Sequence, residues 1–200
     1  MGWRWTCSGQ TPDLRLAVRK NQLAVHYQVL VDEKGSPVGA EALRRWHCPG
    51  RGMVSPAEFI PLAEETGLIE SIGYWVLEEV LSRVASWKKR GDALAKLQVS
   101  VNVSARQFHL PSFCSTVMAL LRKTGASPRN LKVEITESAL ASALKLSAVA
   151  EGVETRGQLE RLVRMGCTRF QGYYFSRPLP ALEFEGLIEK SRMRQQRRAW

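Results

Sequence analysis

The sequence contains no run of about eighteen apolar residues, so no membrane-spanning helix is indicated. Its four cysteines, Cys7, Cys48, Cys114 and Cys167, are scattered, with no CxxC pair and no zinc-type spacing. Reduced thiols in a cytoplasmic protein are the expectation. Residues 1–10 lack a long apolar core and a small-residue cleavage site, so a secretory signal is not expected. No DNA-reading motif accompanies the net charge of +10, much of which sits in Lys88, Lys89 and Arg90 and in the arginines of 192–198. That charge suits an anionic ligand or an acidic surface. At 200 residues the chain can bury the core of one domain and is too short for two comfortable ones.

What is present is an alternation of strand-like and helix-like segments. Apolar runs at 23–31, 38–43, 97–103, 131–136, 148–153 and 169–175 read as strands. Helical spacing covers 14–20, 71–90, 113–123, 139–146 and 182–192. Another helix starts at Ser55-Pro56-Ala57-Glu58, where serine can cap and Glu58 can close a capping box. Thr155 caps a helix that ends at Gly166. Residues 1–12 read as a disordered lead-in, 13–190 as the domain and 191–200 as a basic tail. Strands alternating with helices point to parallel βα units.

The polar residues inside those strands carry the functional signal. In 38–46 an apolar run reaches Glu41, with Arg44 and Arg45 just beyond. One such carboxylate is commonly an ion-paired turn residue. Here the pattern recurs: Gln28, Glu41, Asn102, Glu134, Glu151 and Gln171 each lie in or near the later part of a different strand. In a βα barrel those ends converge on one face. Three carboxylates and three side-chain amides gathered there form the oxygen-rich set that Mg²⁺ or Mn²⁺ prefers.

With those residues in view, residues 13–189 resemble the EAL domain family of cyclic di-GMP phosphodiesterases. The matching segments are Tyr27-Gln28, Glu41-Ala42-Leu43 with Arg45-Trp46, and Pro56 with Phe59-Ile60-Pro61-Leu62-Ala63-Glu64. They continue with Asn102-Val103-Ser104-Ala105 and Gln107, Glu134-Ile135-Thr136-Glu137, and Val149-Ala150-Glu151-Gly152-Val153-Glu154-Thr155. Gln171-Gly172-Tyr173 and Phe175-Ser176-Arg177-Pro178-Leu179 complete the set. The resemblance implies an α/β fold, a TIM-like barrel with one antiparallel strand. It implies hydrolysis of cyclic di-GMP to the linear dinucleotide pGpG with two divalent cations. Glu41, Asn102 and Glu134 then correspond to ligands of a first metal, and Glu151 to a ligand or water-positioning group at a second. Glu41 and Glu151 are the catalytic candidates. Gln28, Leu43, Arg45 and Gln171 correspond to ligand contacts or site-lining groups, and Glu137 to the residue that steadies a loop over the site.

The departures from the family pattern matter equally. The Asp-Asp-Phe-Gly and Lys-Ile-Asp segments of the family occur nowhere in this chain. A full barrel takes about 250 residues, so two lost units account for about 60. The gap falls near 138–148 and leaves about six of eight strands. The lost aspartates would complete the metal pair, so weak or partial Mg²⁺ or Mn²⁺ occupancy is expected. Val29 stands where the family usually has proline, and Cys48 where histidine is common, the cysteine as a packing replacement. The expected function is a degenerate module with lost or very low turnover that retains binding of cyclic di-GMP or of a protein partner. An active phosphodiesterase and a non-functional gene remnant stay open as alternatives. The lost units are where family members often dimerise, so no oligomeric state is assigned.

Overall fold

In the computed structural model, which describes residues 14–91, 93–135, 149–164 and 167–198, the sheet grows outward from one hairpin. β1 (Leu23–Asp32) and β2 (Pro37–Cys48) pair antiparallel from Leu23↔Trp46 to Leu30↔Gly39. Asp32 closes the turn. Its carboxylate accepts backbone N–H bonds from Lys34 (2.9 Å) and Ser36 (2.8 Å), and Gly35 supplies the left-handed φ of 74°.

On one side of the hairpin, β4 (Gln98–Val103) runs parallel to β2, and β5 (Leu131–Ile135) parallel to β4. On the other side, β7 (Arg169–Phe170) pairs with β1, and β6 (Val149–Ala150) runs parallel to β7. β3 (Gly52–Val54) folds back on β2, and β8 (Leu179–Pro180) on β1. The main path is β5-β4-β2-β1-β7-β6, six strands long. Among the described residues no pairing joins β5 to β6, so the sheet is a curled, incomplete barrel, as the sequence leads one to expect.

The helices are α1 (Leu14–Ala17), α2 (Pro56–Glu65), α3 (Leu68–Arg90), α4 (Ala105–Phe108), α5 (Phe113–Thr124), α6 (Arg156–Arg164) and α7 (Ala181–Arg198); α2, α3 and α7 pack against the sheet, and α4 and α5 against α3. α3 is the central one. Ile69, Ile72, Val76, Leu77, Val80, Leu81, Val84 and Trp87 are all buried along it at three- and four-residue spacing. Each such side chain contributes about 1.5–3 kcal/mol by leaving water. Gly67 and Gly91, both at positive φ, bracket the helix.

Several boundaries differ from the sequence reading. β2 continues seven residues past Glu41 because β3 pairs with its far end, so Glu41 lies within a strand rather than at the end of one. β1 is the antiparallel member, so Gln28 reaches the concave face from mid-strand, opposite Glu41, and not from a strand end. Among the described residues β6 and β7 have two residues each. α3 starts at Leu68 and α7 runs on to Arg198. Ser55 makes no side-chain cap, and Glu58 pairs with Arg51 instead. Thr155 does cap: its hydroxyl accepts from Gln158 N (3.2 Å), and Gln158 Oε1 accepts from Glu154 N (2.8 Å) and Thr155 N (2.9 Å). Cys48 is buried as expected of a packing residue, but it is disulfide-bonded, which corrects the expectation of four reduced thiols. Cys114 and Cys167 are free. The lead-in at 1–12, the helix expected at 139–146, Gly166 and Glu137 lie outside the described residues.

α7 is anchored to α3 and β1 through aromatic rings and one buried acid. Tyr27, Trp87 and Phe184 stack mutually with centroids 5.6–5.9 Å apart. Trp87 Nε1 donates to Glu185 Oε1 (2.7 Å), and Arg90 Nη2 lies 2.9 Å from Glu185 Oε2. Glu185 is 6% exposed, so its loss strands the indole N–H and the facing arginine. Glu185→Ala is expected to lower stability by about 3 kcal/mol, measured by urea unfolding.

Candidate functional site

Strand alternation divides the hairpin between two environments. On β2, Ala40, Ala42, Arg44 and Trp46 are buried toward the helices, while Glu41, Leu43 and Arg45 belong to the concave face. Gln28 is the register partner of Glu41. Across β4 and β5 the same face carries Ser100 and Lys132 level with Glu41, then Asn102 and Glu134 one step further.

Glu41 is the hub. Asn102 Nδ2 donates to its Oε1 (2.6 Å), and Gln171 Nε2 donates to its Oε2. Gln171 also donates to Gln28 Oε1 (3.1 Å), and Gln28 Nε2 donates to the Ser176 carbonyl (3.1 Å). Four side chains predicted separately from sequence thus form one hydrogen-bonded string. Its donors are neutral amides, which fix the orientation of the carboxylate.

Gln28, Glu41, Leu43, Glu151 and Gln171 line a common cavity of about 400 Å³, with Glu154, Gly152, Gly172 and Tyr173. The segment bearing Glu151 and Glu154 is tied to the segment after β7 by Val153 N to Gln171 O (3.1 Å) and Tyr174 N to Val153 O (2.9 Å). Gly172 makes that approach possible, since a Cβ there would run into the Val153 backbone. The close approach accounts for the early end of β7. Glu151 itself is exposed at the cavity. A second cavity, of about 430 Å³, opens at the other end of the sheet beside Val38, Leu97 and Ile188, and its lining carries no carboxylate.

Arg45 is half-buried, its Nη1 donating to the Arg44 carbonyl (2.8 Å). Burial lowers its pKa from the ordinary guanidinium value, and the neighbouring Tyr173 and Glu41 oppose that shift. Glu134 sits beside Asn102 in register but is engaged by Lys132 Nζ at 2.6 Å, a pair about one-third exposed. Sequence reading did not assign Lys132, Glu154 or Tyr173 to the site. Lys132 was visible in principle, because it lies two residues from Glu134 and so shares its strand face.

Glu41, Asn102 and Glu134 stand on three adjacent strands and carry oxygen donors of the kind that could hold a hard cation. Among the described residues no three Asp, Glu, His or Cys side chains gather closely enough to hold an ion by themselves.

The EAL domain family model matches residues 12–145 and 139–178. The bifunctional diguanylate cyclase/cyclic di-GMP phosphodiesterase MucR of Pseudomonas aeruginosa is 31% identical over 240 residues, 84% of this chain and 35% of that protein. An uncharacterized signaling protein of Caulobacter vibrioides is 46% identical over 129 residues, 64% of this chain and 15% of that protein. This chain therefore spans about a third or less of the curated relatives' length. Among solved structures, the PaMucR phosphodiesterase in its c-di-GMP complex matches with a TM-score of 0.79 and 30% identity, over 86% of this chain and 98% of that one.

The Lys132 pair yields a prediction for cation binding. Lys132→Met frees Glu134 and is expected to tighten Mn²⁺ binding about threefold, the weight of a partly exposed ion pair. Calorimetric titration with Mn²⁺ alone reads it.

Proposed function

Because the chain belongs to the EAL domain family and its cyclic di-GMP signalling system, we propose that it binds cyclic di-GMP with lost or very low hydrolytic turnover. The observation that carries this reading is an asymmetry within the site. The Gln28–Gln171–Glu41–Asn102 string is intact, whereas the Asp-Asp-Phe-Gly and Lys-Ile-Asp segments, to which the family resemblance assigns the acids of the second cation, occur nowhere in the sequence. Two-metal hydrolysis requires both cations to clamp the attacking and leaving oxygens.

The proposed internal deletion has independent support. The MucR alignment is 240 residues long yet takes in 84% of a 200-residue chain, about 168 residues, so about 70 of its positions face no residue here. The family model matches in two pieces that meet at 139–145.

Within the site, Glu41, Asn102 and Glu134 are assigned to hold a divalent cation. When bound, that cation neutralises phosphate charge and acidifies a water. Arg45 is assigned to the ligand phosphate as a fixed positive charge. Gln28 and Gln171 order the carboxylate and present amide edges to a polar ligand. Tyr173, 58% exposed and covered by Arg177 at 5.2 Å, offers a ring face on which a purine can stack.

The test is calorimetric titration with cyclic di-GMP in Ca²⁺, Mg²⁺ and Mn²⁺, with chromatography for linear pGpG. Binding without product above a Glu41→Ala control is the expected result, with Glu41→Ala binding about tenfold or more weakly. Product above that control establishes an active phosphodiesterase. Neither binding nor product establishes a remnant.

A further inference from the structure

Arg44 is an arginine buried on the wrong side of β2 to meet the ligand. It is 7% exposed and faces the helices between Ala42 and Trp46. Among the described residues it forms no ion pair within 4.0 Å, and Glu64 is the acid whose field it feels. Its Nη1 is buried with no hydrogen-bond partner among the described residues. An isolated guanidinium in such a place costs stability.

Its other nitrogen makes one directed contact. Arg44 Nη2 donates to the Asn102 carbonyl at 2.9 Å. That carbonyl stands where two strands part. The last β2–β4 pair is Ala42↔Val101, one residue below Asn102. Above it, β2 leaves β4 and pairs with β3 from Trp46↔Val54 onward. Arg44 lies in the interval between these pairings and bridges the split. The same Asn102 extends Nδ2 to Glu41 Oε1 at 2.6 Å on the concave face. The backbone of Asn102 is thus held from the helix side while its side chain works on the other.

We propose that Arg44 is a positioning residue for the cation site, fixing the Asn102 amide against Glu41 from across the sheet. The proposal rests on the reading that Glu41 and Asn102 hold a divalent cation. It separates stability from affinity. Arg44→Met fills a similar volume and removes an unpaired buried charge, so the melting temperature should stay level or rise. Cation binding should weaken, because Asn102 loses its anchor where β2 and β4 diverge.

The experiment titrates Mn²⁺ alone into the full chain by calorimetry, with thermal unfolding measured in parallel. It compares wild type, Arg44→Met, Arg44→Lys and Asn102→Ala. Arg44→Met should bind Mn²⁺ about tenfold more weakly at an unchanged or higher melting temperature. Arg44→Lys, which can restore one donor, should fall between wild type and Met. Wild-type affinity in both Arg44 variants beside a weakened Asn102→Ala overturns the proposal and leaves the cation reading standing. Wild-type affinity in Asn102→Ala removes the cation reading, and the proposal with it. An affinity loss matched by a fall in melting temperature in both Arg44 variants assigns a structural role only and also overturns it. If Arg44→Met does not fold, Arg44→Lys decides by the same criteria.

Discussion

Glu41 accepts hydrogen bonds from two amides that arrive from opposite flanks of the β1–β2 hairpin. Asn102 comes from β4 on one side, and Gln171 from the segment after β7 on the other. The sheet is open between β5 and β6 among the described residues, so no continuous ladder joins its two flanks around the far side. The carboxylate is therefore a cross-tie as well as a candidate ligand. Gln28 reinforces it by taking a bond from Gln171 and passing one on to Ser176. A half-buried carboxylate held this way loses little by being partly withdrawn from water, because charge-assisted bonds replace its hydration.

Much of this was legible in the residues, for a definite reason. Strand ends of parallel βα units converge on one face, and the resemblance to the EAL domain family points to the polar residues gathered there. That is why Gln28, Glu41, Asn102 and Gln171 could be gathered before any coordinates, and why an incomplete barrel was expected. Strand extents were less accessible because they depend on distant partners. β2 is prolonged by β3, and β7 is cut short where Gly172 meets Val153. Neither partner lies within the window that local pattern reads. Ser55 shows the same limit at a helix start: its cap pattern is sound, yet Arg51 captures Glu58. Arg44 was read as a neighbour of the site by sequence adjacency. Its true role turns on alternation, which sends it to the other face.

The cations around the site also divide by face. Lys132 and Arg45 belong to the concave side, Arg44 to the helix side. Lys132 already partners Glu134, so a divalent ion entering there must displace it. That competition is modest, since the pair is about one-third exposed and solvent screens it. Arg45 is different. Its pKa is drawn down by burial, so a facing anion stabilises its charged form more than water alone does.

These fields couple the two proposed ligands. Glu41, Glu151 and Glu154 all line the cavity, so a phosphodiester entering it meets carboxylates of its own sign. Glu151 and Glu154 are exposed, so solvent and salt screen part of that repulsion. A divalent cation, if held by Glu41, would reverse the sign of that interaction. Each ligand then raises the affinity of the other by the same factor, as linkage requires. On the proposed reading, a chain without turnover still responds to cyclic di-GMP only while a divalent cation is present. Its output is then set by a binding equilibrium and not by a rate of hydrolysis.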